Sequence, residues 1–305
     1  MVSTTHFNWT ENALFYEYVS SVNPHLPEVP CLIYSSEIHQ QGATRIIPFD
    51  LSNQLGNDSP ATTPNLSASY VRICTGESIS TEANATAQLF YVIRGAGSTE
   101  TEYGLLPWSE GDVFTLPASS MVTHTASADS ALYWVNDSPL LTYLGARPAN
   151  PKFKPALYTR NQIMTELEKI DHQPGARQRN RDAIILGNPG VSQIKSMTHT
   201  LWAAVVFVAP GEVQKPHRHN SVAVDIVIAS APGSYTLLGD RIDEYGDIIH
   251  PQRVDWEAGA AFVTPPALWH GHYNESSQPA IVMAAQDAGF YEYMRTLDIK
   301  FSQGA

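Results

Sequence analysis

The sequence predicts an all-β-dominated chain built of two similar halves with a few short helices. Three observations carry this. First, 21 prolines and 19 glycines punctuate short apolar runs in a chain that is 43% apolar and only 16% charged, the composition of a β-rich globular protein. Second, runs of strand length recur at the regular spacing of a sandwich or barrel. Third, the same kinds of segment follow one another in the same order in each half. At 305 residues the chain can bury two cores of about 100–150 residues, the usual domain size. The division expected is 1–150 and 151–305.

Element by element, apolar Leu14, Phe15, Tyr18 and Val19 recur at helical spacing over 10–22. Thr10 or Asn12 serves as cap and Pro24 as stop, which predicts an N-terminal helix. Extended structure begins over 42–51, where Ile46, Ile47 and Phe49 are apolar. Strands are predicted at 69–73, 89–93, 112–116 and 131–135. A connector helix is predicted over 161–170, opened by Thr159 with Gln162 three residues on as a capping box. Strands resume at 201–208, 225–229, 235–238, 261–264 and 280–284. The long acidic insertion 239–257, which contains His250, reads as a solvated loop long enough to act as a lid.

The chemistry lies in the second half. Gly211-Glu212-Val213-Gln214-Lys215-Pro216-His217-Arg218-His219 is answered some forty residues later by a run from Gly259 through Thr264-Pro265-Pro266 to Trp269-His270-Gly271-His272. Two histidines two apart on a strand project to one side, so His217 and His219 can present imidazoles to one point. His270 from a distant strand would complete a set of three neutral nitrogen donors. Such a set suits Fe(II), Mn(II), Ni(II), Cu(II) or Zn(II). Trp269 and Phe262 read as core residues.

Composition also sets limits. The net charge of −12 argues against nucleic acid or an anionic membrane surface as partner. There is no long apolar run and no basic-then-apolar start, so membrane spanning and secretion are not expected. Cys31 and Cys74 are too few for a disulfide framework, and a reduced cytoplasmic setting fits.

Gly-x5-His-x-His followed by Gly-x5-Pro-x4-His resembles the paired motifs of the cupins. The resemblance implies two tandem double-stranded β-helix barrels of jelly-roll type, a bicupin. Ala223 stands where most cupins carry a glutamate ligand. With Trp269-His270-Gly271-His272-x-Asn274, this makes the chain similar to the gentisate and salicylate dioxygenases, which hold Fe(II) with three histidines. The likeness is tight over 200–289 and looser elsewhere. It implies one divalent metal per chain on His217, His219 and His270, Fe(II) foremost with Zn, Mn, Ni and Cu as alternatives, and a small substrate cleaved with O2. His272 matches a pocket histidine that moves protons, and Asp287 lies near an aligned family aspartate.

Asp225 should face the pocket two residues beyond Ala223, where those dioxygenases carry an arginine that holds the substrate carboxylate. Its charge is reversed here. It could orient a cationic or hydroxyl-bearing substrate, act as a base, be a remote fourth ligand, or pair with Arg218 or Arg241 within the barrel. Aligning the first half on the second puts Glu82, Asn84 and Val122 at the ligand positions and His124 at His272. That half is expected to hold no metal and to enclose a satisfied polar interior, Gln88 included. A metal-dependent isomerase or hydrolase, and a non-catalytic ligand-binding bicupin, remain alternatives to a ring- or C–C-cleaving dioxygenase. Assembly into a homodimer or higher homo-oligomer is expected.

Overall fold

Long runs of apolar residues such as Ala87–Arg94, Ser130–Asn136, Trp202–Val208 and Ala280–Gln286 have both faces buried, so they read as continuous rather than alternating. Their two faces do different work. Leu89, Tyr91, Tyr133 and Val135 pack with Val205, Val224, Ala261 and Met283 in one core shared by the two halves. The alternate residues Phe90, Val92, Leu132 and Trp134 fill the interior of the first half. Ala204, Val206, Ala223 and Val227 line that of the second.

The computed structural model describes residues 8–22, 24–118, 121–171 and 181–302. In the first half, a six-stranded sheet runs in the order Ala156–Tyr158, Val113–Pro117, Ala87–Arg94, Ser130–Asn136, Ser67–Ile73, Arg45–Pro48. It is backed by Ser78–Thr81, Val122–Ala126, Ala96–Thr101 and Gly104–Ser109. In the second half, the six-stranded sheet runs Ile33–Tyr34, Ala261–Thr264, Ala223–Ala229, Ala280–Gln286, Trp202–Val208, Asp182–Leu186. Its partner is Gln252–Asp255, Ser234–Gly239, Trp269–Asn274, Val213–His219 and Ile299–Phe301. The strand pairings are antiparallel. Two strands are exchanged: Ile33–Tyr34 pairs with Ala261–Thr264, and Ala156–Tyr158 pairs with Val113–Pro117.

Polar joints fix the two six-stranded sheets against each other. Tyr133 OH donates to the Val224 carbonyl at 3.0 Å, Thr200 Oγ1 to Asp137 Oδ2 at 2.8 Å, and Tyr70 OH to the Gly259 carbonyl at 2.9 Å.

The connector helix is observed as Arg160–Asp171. Its capping box forms, with the Thr159 amide on Gln162 Oε1 at 3.1 Å and the Gln162 amide on Thr159 Oγ1 at 3.3 Å. The N-terminal helix is a correction: only Tyr18–Ser21 is helical. Leu14, Phe15, Tyr18 and Val19 are all exposed, and a short helix draws its stability from packing an apolar face. Here that face is exposed instead. Among the described residues, no helix is long and apolar enough to cross a membrane.

Candidate metal centre

Gly211, at φ +74°, turns the chain into Val213–His219. The strand Ala261–Thr264 stops before Pro265, as the sequence predicts. The turn that follows holds Ala267 at φ +65°, a conformation that costs a non-glycine residue about 1–3 kcal/mol and is kept where a site demands it. Its amide donates to the His219 carbonyl at 2.7 Å, tying the two histidine-bearing segments together. His217 then pairs with His270 across the sheet.

The result is a buried cluster of His217, His219 and His270 whose candidate ligand atoms all lie within 4.8 Å of one another. Ring centroids are 4.0 Å apart for His217 and His270, 4.9 Å for His219 and His270, and 5.4 Å for His217 and His219. His219 Nδ1 is bonded to the Ser221 carbonyl at 2.8 Å, and Ser221 Oγ in turn donates to Gln286 Oε1 at 3.0 Å. His270 Nδ1 is bonded to the Leu268 carbonyl at 3.0 Å. These contacts place the proton on Nδ1 and leave Nε2 with a lone pair. His219 Nε2 is buried without a hydrogen-bond partner, the mark of an atom that awaits a ligand. Burial holds His217 and His270 well below the usual histidine range, and His219 down at about 4. All three are therefore neutral donors at pH 7. The donor set fits a divalent metal.

The cavity beside them, ≈ 120 Å³, is lined by Arg181, Asp225, His272 and Gln286 and by the apolar Ala183, Ile185, Trp202, Ala204, Val206, Ala223, Ala284, Ile299 and Phe301. Small residues leave this space open. In the first half the equivalent interior is filled by the stacked rings of Phe90, Phe114 and Trp134. His124 there is fully buried and satisfied by Thr81 and Thr99, and Trp134 Nε1 donates to Gln88 Oε1 at 3.0 Å. Glu82 and Asn84 are exposed. By register, Thr81 opposite Val122 occupies the place of His217 opposite His270.

Asp225 lines the cavity as strand alternation requires, but its cationic neighbour is a correction. Arg218 stacks over Trp269 and Arg241 pairs with Asp240. The charge that Asp225 feels is Arg181. Thr264 Oγ1 donates to Asp225 Oδ2 at 2.5 Å. Burial pushes the Asp225 carboxyl up to about 7, against the pull of Thr264 and Arg181. Arg181 also bonds Gln214 Oε1 at 3.2 Å and lies against His217 Nδ1. Nothing in the sequence pattern marks Arg181 as a cavity residue. Arg177, Arg179 and Arg181 sit in one polar run, and the strand Asp182–Leu186 that follows Arg181 is not among the predicted strands.

Asp287, the other carboxylate expected near the site, is placed differently. It does not line the cavity. Its Oδ1 accepts from the Val222 amide at 2.9 Å and its Oδ2 from Asn65 Nδ2 at 2.8 Å, so it joins the two halves. The insertion 239–257 supplies none of the cavity's lining either. It folds on itself through an Ile242–Ile248 bridge, and His250 in it is exposed.

Two antiparallel double-sheet units, one holding three convergent histidines, give a bicupin-like fold with one candidate metal centre among the described residues. The chain is similar to the gentisate and salicylate dioxygenases. It is 29% identical to gentisate 1,2-dioxygenase 1 of Aquipseudomonas alcaligenes over 130 residues, 42% of this chain and 33% of that protein. It is 30% identical to gentisate 1,2-dioxygenase of Streptomyces sp over 169 residues (51% and 43%) and 25% identical to 5-aminosalicylate 1,2-dioxygenase of Comamonas sp over 181 (58% and 44%). These matches span a third to less than half of the relatives' length. No family model matches the chain. Salicylate 1,2-dioxygenase from Pseudaminobacter salicylatoxidans superposes with a TM-score of 0.72 at 14% identity, over 92% of this chain and 91% of that one. Oxalate decarboxylase of Bacillus subtilis superposes at 0.54 with 13% identity, covering 84% and 76%. At such identities the superpositions show the fold alone.

Proposed function

We propose that the chain is a non-haem metal-dependent dioxygenase that cleaves a small ring or dicarbonyl compound with O2, with residues 151–305 carrying the centre and 1–150 none. The observation that carries this reading is the neutral three-histidine set beside a partly enclosed cavity. His217, His219 and His270 would hold one divalent ion, Fe(II) in this reading, with Zn, Mn, Ni and Cu able to occupy the same donors. Such an ion would supply Lewis-acid and one-electron chemistry towards a substrate oxygen and O2.

The protein's own groups do the rest. Much of the wall is apolar, and the space of ≈ 120 Å³ is somewhat below the about 150 Å³ of an engineered cavity that binds benzene, which limits its occupant to one small ring. Arg181 offers a cation to a substrate oxygen, with Asp225 offsetting its charge. His272 stands 6.0 Å from His270 between ring centroids, placed to hold or move a proton beside the ion rather than on it. The names of the sequence relatives, among them a 5-aminosalicylate dioxygenase, favour a hydroxylated aromatic. An isomerase or hydrolase reading is favoured by one feature: the Asp225 carboxyl at about 7 is poised as a general base.

We further propose self-association through the N-terminal arm. Trp9, Phe15 and Tyr18 are 84%, 94% and 82% exposed, a contiguous apolar segment of the kind that marks a protein interface.

Metal content of protein purified without chelators, followed by oxygen uptake with catechols, hydroquinones, hydroxybenzoates and β-diketones, tests the function. Iron with substrate-triggered uptake is expected. Zinc with no uptake selects the hydrolase or isomerase class.

A further inference from the structure

We propose that Thr236 and Trp256 are positioning residues that hold His272 as a hydrogen-bond donor at Nε2, aimed at an oxygen of whatever occupies the cavity. The meaning for turnover rests on the function proposed above; the proton assignment does not.

Four imidazoles surround the cavity, and their Nδ1 partners sort them. His219 and His270 each face a backbone carbonyl with Nδ1. A carbonyl only accepts, so those two rings are protonated at Nδ1 and keep a lone pair at Nε2. His217 Nδ1 sits between the His270 carbonyl, at 3.1 Å, and the Arg181 guanidinium, so its neighbours do not fix its proton.

His272 faces a hydroxyl instead. Thr236 Oγ1 is 2.9 Å from His272 Nδ1, and Trp256 Nε1, which can only donate, is 2.8 Å from the same oxygen. A hydroxyl has one proton to give. Were His272 Nδ1 protonated, the Thr236 oxygen would accept twice, and its own buried proton would have no acceptor among its partners. The satisfied chain runs from Trp256 N–H to the Thr236 oxygen, and from the Thr236 O–H to His272 Nδ1. Neutral His272 then carries its proton on Nε2. That ring borders the cavity, and among the described residues its Nε2 has no hydrogen-bond partner.

The first half repeats the arrangement. Trp108 Nε1 donates to Thr99 Oγ1 at 3.0 Å, and Thr99 Oγ1 is 2.7 Å from His124 Nδ1. His124 faces Ile79 across the sheet as His272 faces Gln214. There His124 Nε2 meets Thr81 Oγ1 at 2.9 Å, the residue in the register position of His217. The half without three histidines thus closes the same chain on a protein hydroxyl. The half with them leaves the donor open to the cavity.

Long-range 1H–15N correlation spectra of 15N-labelled protein loaded with diamagnetic Zn(II) test the assignment. In the native protein and in Thr236→Ser, His272 should show a bare Nδ1 and a protonated Nε2. Thr236→Val, close in shape but without the hydroxyl, should give a mixture or the opposite tautomer. In the oxygen-uptake assay the Val variant should lose roughly 10–100-fold in kcat, the usual cost of removing a partner that orients a site residue. Its KM and metal content should hold, and Thr236→Ser should restore turnover. Should Thr236→Val fail to fold, Trp256→Phe should still shift the tautomer mixture towards Nδ1–H. A protonated Nδ1 on His272 in the native protein, or a Val variant with the native spectrum, overturns the proposal. Absence of oxygen uptake with every substrate would sink the dioxygenase reading, while the spectrum would still decide the proton assignment.

Discussion

The Asp225 carboxylate and the Arg181 guanidinium border the same cavity, and each favours the other's charged form against the cost of burial. Burial brings Arg181 down to about 9, with Asp225 opposing the fall. The carboxylate therefore compensates a cation that would otherwise stand alone beside the histidines, a coupling that is strong where water is excluded. Asp225→Asn should free Arg181 for a substrate carboxylate. In Zn(II)-loaded protein, calorimetric titration with salicylate should show binding at least about tenfold tighter in the variant, which is about 1.4 kcal/mol. Arg181→Gln should remove the gain. Equal affinities for native protein and Asp225→Asn would show that the pair does not govern charge selection.

One metal per chain is expected, because only the second half gathers three histidines among the described residues and the first is filled by Phe90, Phe114 and Trp134. His217→Ala or His270→Ala should remove most of the metal. The metal-dependent gain in melting temperature should go with it, since a ligand bound only to the folded state stabilises by mass action. His272→Ala should keep its metal. Elemental analysis checks all three variants, and two tightly held equivalents in native protein would count against the assignment.

Much of the fold was legible because apolar runs bounded by Gly and Pro mark strands whichever way they face. The predicted 261–264 is the observed Ala261–Thr264, and 131–135 lies inside Ser130–Asn136. Polar strands such as Val122–Ala126 and Ala96–Thr101 carry no such pattern, and their pairing depends on partners far along the chain. The three histidines were legible because strand geometry fixes which side chains converge. Arg181 was not, because its burial comes from the tertiary placement of Asp182–Leu186 at the sheet edge. Glu82 was placed at a ligand position by counting from a glycine, whereas pairing puts Thr81 there; the second-half strand bulges between Gln214 and His217, adding a residue that the first half lacks.

The exposed N-terminal arm predicts self-association. Replacing Leu14, Phe15, Tyr18 and Val19 with Ser should lower the mass seen by light scattering at micromolar protein. Metal content and melting of the barrels should stay near native, because none of the four is buried within the chain. Burial of about 800 Å² per partner is typical of a stable interface, and the arm offers large side chains over a short stretch. An unchanged mass would place any self-association elsewhere.

Stability against acid should depend on His124, in the half that lacks the three histidines. Burial holds this imidazole down at about 3, whereas in the unfolded chain it titrates near 6.5. Between those values the unfolded chain binds a proton that the folded one refuses. The contribution is therefore intact above roughly pH 6.5 and shrinks as the pH falls towards 3, at up to about 1.4 kcal/mol per unit for one proton. His124→Gln has no such titration and can still meet the Thr81 and Thr99 hydroxyls. The other buried histidines add the same slope to both proteins, so the difference isolates His124. Denaturant unfolding of metal-free protein from pH 7 to 4 should show the native protein losing stability more steeply than the variant. Parallel losses would mean that His124 takes up its proton while folded.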